Sequence, residues 1–329
     1  MPTGRSGPQA ARPSVSVVFI TVGRPSLAAA ISSVLAQDHR PLEMILFANG
    51  AAVDVDALPH DDGVPVRTGG SPHNLGVAGG RNAAARLAGG EHLLFVDDDA
   101  VLHEGAITAA VGRLEASPEV GAVAFRIVDP SSGRPTLWYH PYDREQFTRR
   151  DFEASTVIGC AAMFRRHAFD ALGGFWDGYF RDFEEVDLSW RLIDAGWTIR
   201  YEPGAVVEHI DRLLHTEPST RSNLLAVWRL LPPGLMVRQT VVKLCVFAVR
   251  AAANRQLRQF ASGVVGAVRL APRARRERSV LSEATIAYLR RVHAPQGYGK
   301  RLQWSLRPLA PPAPRGGQPA SAGDASRRT

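Results

Sequence analysis

Between Ser14 and His209 the apolar residues fall into two alternating patterns. Short, nearly unbroken apolar runs, "SVSVVFIT" (14–21), "LEMILFAN" (42–49) and "HLLFVD" (92–97), have the length of strands buried on both faces. "VPVRTG" is a further, weaker strand candidate. Between these runs the spacing becomes helical. In "PSLAAAISSVLAQ" (25–37), Leu27, Ile31, Val34 and Leu35 recur at helical intervals, with Pro25 suited to a helix start. "GVAGGRNAAARLAG" opens on glycines, becomes an alanine-rich helix and stops at Gly89–Gly90. Strand and helix in alternation predict an α/β fold, a mostly parallel sheet with helices on both faces. In such sheets ligands bind beyond the carboxyl ends of the strands.

A different texture begins near residue 216. "RSNLLAVWRLLPPGLMVRQTVVKLCVFAVRAAANRQLRQFASGVVGAVRL" reads as helices broken at Pro232–Gly234. Its longest uncharged run near the middle, Leu244–Val249, is too short to span a bilayer. Two readings stay open: a helical subdomain packed on the first domain, and an amphipathic helix lying on a membrane. Residues 1–13 and 308–329 are rich in Pro, Gly, Ala, Ser and Arg without periodicity, and disordered tails are expected there. The predicted organisation is a tail (1–13), an α/β domain (14–215), a helical region (216–307) and a basic tail (308–329).

Composition narrows this picture. The chain has 329 residues, 45% hydrophobic and 22% charged, which is globular composition. Cys160 and Cys245 lie far apart and form no disulfide or metal pattern, and "MPTGRSGPQAARPS" lacks the apolar core of a secretory leader. A reduced, cytoplasmic setting is expected. The net charge of +7 is uneven, because Val268–Thr329 holds 13 Arg or Lys against 3 Asp or Glu. Lys occurs only at 243 and 300, so the basicity is almost all Arg, as in GC-rich coding. No nucleic-acid partner is therefore inferred from the charge. Its concentration at one end points instead to an anionic surface such as lipid headgroups.

The candidate chemistry starts at "LLFVDDDAVL" (93–102), where three carboxylates follow a core strand. Adjacent acids attract a divalent cation, and hard carboxylate oxygens suit Mg2+ or Mn2+. On an extended segment Asp97 and Asp99 point one way and Asp98 the other. An acidic turn on a solvated surface is the competing reading. The second constellation, "NLGVAGGRNAA" (74–84), leads glycines into a helix whose N–H groups face an anion, with Arg81 as a positive partner. Taken alone, this stretch is better read as an ordinary loop-to-helix junction. The third, Gly159–His209, contains "GGFWDGYF" and then Asp182, Glu184, Glu185 and Asp187 before a helical stretch. One acid suffices to cap a helix, so a general base for an attacking hydroxyl is a further role for this cluster. Trp176, Tyr179 and Phe180 offer apolar ring faces to a ligand, with core packing the competing role and the favoured one for Phe180.

In this order and spacing, "VVFITVGRPSLAAAISSVLAQ", "NLGVAGGRNAA", "LLFVDDDAVL", "GGFWDGYFRDFEEVDLSWRLIDAGW" and "PGAVVEH" resemble the family 2 glycosyltransferases of GT-A fold. The rhamnosyl- and galactofuranosyl-transferase-like branch is the most similar. The resemblance covers about residues 14–209. It implies an inverting transferase that moves a sugar from a nucleotide-diphospho-sugar, with Mn2+ or Mg2+, in cell-surface glycan, polysaccharide or glycolipid assembly. By that match Asp97, Asp98 and Asp99 form the family's DxD element. Thr21, Arg24, Asn74, Gly79, Arg81 and Asn82 join Asp97 and Asp98 on the donor. Asp97, Asp99 and His209 hold the metal, Glu184 and Glu185 form the catalytic pair with Glu185 the base, and Trp176, Tyr179 and Asp182 face the acceptor. The resemblance implies a glycan or lipid-linked glycan acceptor at the inner face of the plasma membrane, with a small-molecule acceptor as the open alternative. Two departures stand out: Glu185 replaces the usual Asp, and Ala48 stands where the family commonly has Asp. A sugar-phosphate nucleotidyltransferase and a non-catalytic nucleotide-sugar-binding homologue are the alternatives.

Overall fold

The computed structural model describes residues 13–135, 149–209 and 216–293. The two expected tails therefore lie outside the described residues, apart from Pro13. The chain runs β1 (Val15–Thr21), α1 (Leu27–Leu35), β2 (Leu42–Asn49), β3 (Val66–Ser71), α2 (Gly76–Ala85), β4 (His92–Asp97) and β5 (Ala100–Leu102). It continues through α3 (Ala106–Glu115), β6 (Val120–Val128), β7 (Phe152–Ala154), β8 (Ala161–Arg165), α4 (Arg166–Ala171), α5 (Glu184–Asp194) and β9 (Thr198–His209). Four helices follow: α6 (Thr216–Leu230), α7 (Pro233–Ala253), α8 (Leu257–Arg276) and α9 (Glu283–His293).

The strands form one sheet in the order β3-β2-β1-β4-β8-β6-β9-β5, with β7 also on β9. Its first four strands are parallel, as the alternation predicts. Beyond β4 the sheet is mixed: β8 is antiparallel to both β4 and β6, whereas β6 and β9 run parallel. The predicted parallel character thus holds for the half built from strand-helix-strand repeats.

Why the strands read as unbroken apolar runs is visible in β4. Leu94 and Val96 enter a core under α1 and α3, while Leu93 and Phe95 enter a second core under α2, α4 and α5. Both faces are buried, so neither can be polar. A third apolar cluster joins Trp176 and Tyr179 to Leu224, Leu225 and Leu230 of α6 and to Ala267 and Ala274 of α8. The helical region is thus packed on the α/β part. Among the described residues no helix is long and apolar enough to cross a membrane.

The parallel half fixes the site's position. Register pairs Thr21 with Ala48 and Ile20 with Asp97, so the carboxyl ends of β1, β2 and β4 share one edge. Across the sheet, β9 returns antiparallel to β5 with His209 opposite Ala100. A residue 110 positions away is thereby set beside Asp99.

Candidate active site

Each of the three aspartates meets a different partner. Asp97, the last residue of β4, accepts a hydrogen bond from Arg81 Nη2 at 2.7 Å. Asp98 turns inward, is buried, and accepts the Thr21 hydroxyl hydrogen at 2.6 Å. Burial pushes its carboxyl above the ordinary range, opposed by the Thr21 bond and by Arg24. Asp99 accepts from Arg24 Nη1 at 2.7 Å and lies 3.3 Å from His209 Nε2. One carboxylate oxygen each of Asp97 and Asp99 and a ring nitrogen of His209 lie within 4.8 Å of one another. Two hard oxygens and an imidazole are a donor set for Mn2+ or Mg2+.

The glycine loop does something other than the sequence suggests. Its first amides are already taken: Leu75 N–H by Asn49 Oδ1, Gly76 N–H by Asn74 Oδ1 and Val77 N–H by the Phe180 carbonyl. Gly76 is required here, since its φ is +75° and a Cβ would sit 2.3 Å from the Phe180 oxygen. The glycine therefore admits the loop before α5. Gly79 lies on the first turn of α2, where an added Cβ would meet Leu75 at 3.1 Å. Asn82 exchanges two hydrogen bonds with the Phe175 backbone, so its amide ties α2 to the "GGF" turn.

Arg81 departs furthest from its expected place. It is 3% exposed, donates to Asp97, to the Gly159 carbonyl at 2.6 Å and to Glu184 Oε1 at 3.3 Å. Burial works against its charge, but Asp97 and Glu184 outweigh this and hold it firmly protonated. A guanidinium enclosed this way serves carboxylates of the protein, not an open anion site. The exposed cation at the strand ends is Arg24, whose side chain is 41% exposed beside Asp98 and Asp99.

Glu184 and Glu185 open α5. Glu184 is buried against Arg81, and burial raises its proton affinity although Arg81 opposes this. Glu185 is pushed well above the ordinary range, first by burial and then by the adjacent Glu184. Its Oε2 is buried and has no hydrogen-bond partner. Such a carboxyl is a proton acceptor once ionised, and its Oε2 has no structural bond to give up. The segment entering α5 is unusual too: Phe180, Asp182 and Phe183 all have positive φ, at 54°, 63° and 73°. Non-glycine residues in this region cost about 1–3 kcal/mol each and cluster at functional sites.

The aromatic assignments reverse. Tyr179 is 0% exposed, with its hydroxyl donating to Asp187 at 2.9 Å. Trp176 is buried between Arg229 and Arg273, and its indole N–H donates to Glu277. Neither ring presents a face to a sugar, because α6 and α8 cover them. Phe180, expected in the core, is 42% exposed. Asp182 is half-buried and accepts the Ser219 hydroxyl of α6. Sequence reasoning passed over Asn49, which binds Asn74 and the Gly76 carbonyl, and took Asp187 only as one of a cluster of acids, whereas it is fully buried between Arg191, Arg229 and Tyr179. An asparagine at the end of a strand was the available signal for the first; nothing local signals the Arg229 partner of the second.

With this geometry in place, the comparisons with known proteins can be stated. Residues 16–173 match the family described as Glycosyl transferase family 2. The matched segment, just under half of the chain, is similar to glycosyl transferase family 2. Among curated relatives, the pre-mycofactocin glycosyltransferase of Mycobacterium tuberculosis is 32% identical over 171 residues, covering 50% of this chain and 34% of that protein. The N-acetylglucosaminyl-diphospho-decaprenol L-rhamnosyltransferase of the same organism is 27% identical over 220 residues, covering 56% and 72%. The chain thus spans about a third of the length of the first relative. Among solved structures, the mannosyltransferase PcManGT from Pyrobaculum calidifontis, in complex with GDP-Man and Mn2+, aligns with a TM-score of 0.54 at 18% identity over 90% of this chain and 84% of that one. Residues 1–349 of S. aureus TarS align at 0.56 and 12% identity over 89% and 91%. At these identities the structures establish the fold, the GT-A arrangement implied by the sequence motifs.

Proposed function

We propose that this chain is a family 2 inverting glycosyltransferase that moves a sugar from a nucleotide-diphospho-sugar to an acceptor hydroxyl. The observation that carries the reading is the proximity of two acidic groups of different character, joined through Arg81: the Asp97/Asp99/His209 cluster and the Glu184/Glu185 pair. Asp97, Asp99 and His209 would hold a divalent cation, Mn2+ or Mg2+. Such a cation offsets negative charge on a diphosphate. Glu185 takes the proton from the acceptor hydroxyl as that oxygen bonds the anomeric carbon and the bond from that carbon to the diphosphate oxygen breaks. Arg24, half-exposed at the same edge, supplies positive charge to the phosphates. Arg81 instead fixes Asp97 and Glu184 relative to each other, and Thr21 orients Asp98. Phe180, beside this loop, is the ring available to an acceptor.

The relatives' names, which include a decaprenol-linked acceptor, support a lipid-linked or surface-glycan acceptor here as well. A cytoplasmic setting belongs to the same proposal and is consistent with two free thiols, Cys160 and Cys245. Incubating the protein with a panel of nucleotide-sugars and Mn2+ or Mg2+ tests it, with nucleoside diphosphate as the expected product. Release of pyrophosphate would point to a nucleotidyltransferase. In Glu185→Gln, turnover should fall about 10²–10⁴-fold with donor affinity retained. Unchanged turnover would remove Glu185 as the base.

A further inference from the structure

The C-terminal helices carry a second surface, remote in chemistry from the acids. Along α7, Val237, Val241, Cys245 and Val249 recur every four residues and share one face with Val242. That face is turned to solvent: Val237 is 60% exposed, Val241 57% and Val249 57%, and Cys245 is exposed. On α8, Val265 and Val268 are 48% and 58% exposed. Between the two helices runs an open apolar cleft of about 560 Å³, lined by Leu244, Cys245, Ala248, Phe260, Val264 and Val265. A contiguous apolar surface of this kind marks an interaction site. Its electrostatic setting is one-sided, because residues 218–276 contain ten Arg and one Lys and no Asp or Glu. Arg238, Arg258, Arg269, Arg275 and Arg276 are all exposed.

We propose that the α7–α8 hairpin seats this protein on an anionic phospholipid surface, its valines and Phe260 entering the boundary between headgroups and acyl chains and its arginines pairing with lipid phosphates. Charge selects this occupant over the others. The chain's own residues 294–329 carry six Lys or Arg against one Asp, so they would add positive charge to positive charge. A second copy docked through the same face would set arginine against arginine. An anionic bilayer satisfies both the apolar and the cationic groups. The inner side of the hairpin explains why such seating matters: Lys243 donates to Asn223 and lies 5.7 Å from the centre of the Phe183 ring, next to Glu184. The membrane contact therefore lies beside the loop that leads into α5. The inference goes beyond the catalytic reading and stands if that reading fails.

The test uses the full chain and sedimentation with vesicles of phosphatidylcholine alone or mixed with phosphatidylglycerol. The protein should bind only the mixed vesicles, should be released by salt, and should lose about fivefold in partitioning for each of Arg258→Ala and Arg269→Ala. The Val241→Glu/Val249→Glu double variant should lose binding with its far-UV spectrum unchanged. Wild-type protein remaining in the supernatant, or a double variant that binds as well as wild type, would overturn the proposal. Maleimide labelling gives a second readout on unaltered protein, since Cys160 is buried. Cys245 should react readily in the free chain and be protected by the mixed vesicles. Slow reaction without vesicles would mean that the face is covered by the chain itself or by a second copy, and equal reaction with and without vesicles would mean that it stays in water; either result rejects lipid seating.

Discussion

The two acidic groups of this molecule, six strand-end oxygens at 97–99 and four helix-end oxygens at 184–185, are treated in opposite ways by the fold. The aspartate trio is compensated residue by residue: Arg81 serves Asp97, Thr21 serves Asp98, and Arg24 and His209 serve Asp99. The glutamate pair shares one guanidinium, which bonds only Glu184. Distributed compensation keeps like charges together at a site accessible to a cation. Scant compensation plus burial leaves Glu185 with a high proton affinity. The same residue chemistry thus yields an anionic seat in one place and a proton acceptor in the other.

The sharpest way to break this contrast is to remove the group that both clusters share. Arg81→Met should destabilise the protein by about 3–5 kcal/mol, because Asp97 and Glu184 would then face each other around a buried vacancy of charge; the denaturation midpoint reads this. A Glu184→Gln change in the same background should recover part of the loss, which a purely steric role for Arg81 would not allow. Next in size is Thr21→Val, which deletes the hydroxyl bound to buried Asp98 and should cost about 1–3 kcal/mol. Donor affinity should fall with it if Asp98 belongs to the donor site.

Smaller still, Asp99→Asn should weaken Mn2+ binding, followed by calorimetry, by at least about tenfold. Stability should change less than in Arg81→Met, since the Arg24 partner of Asp99 is solvated. The pH dependence sharpens the comparison from the other side. A base must be ionised, so turnover should rise with pH through an acid limb lying above the ordinary glutamate range. The raised value also means that the folded chain holds this proton more tightly than the unfolded chain. Stability therefore falls as pH climbs from the ordinary glutamate value toward the raised one, and Glu185→Gln should lessen that fall. An acid limb at the ordinary position would place the base elsewhere.

Much of this was legible because it was local. The strand runs follow from apolar spacing, and the trio's place follows from acids directly after such a run. His209 is different: only the family's motif order pointed to it, since the β5–β9 pairing that delivers it has no local signature. Arg81 looked like an anion ligand because its glycines suggested an open loop. Its real partners lie 16, 78 and 103 residues away, and the contacts that close the loop come from Asn49 and Phe180. Trp176 and Phe180 were read with their exposures inverted for a related reason. Hydropathy cannot say which ring the α6 and α8 helices will cover. The positive φ values at Phe180, Asp182 and Phe183 were equally hidden, because none of these positions is glycine.

Asp187 sits on α5 and is held by Arg229 of α6, which also stacks on Trp176. The family match ends at residue 173, before any of these partners. A chimera that keeps the chain through β9 and exchanges the C-terminal helices would leave the buried Asp187 carboxylate with Arg191 alone, on the very helix that begins with Glu184 and Glu185. In such grafts the natural seam lies outside α6, and Arg229 should travel with the glutamates it supports from below.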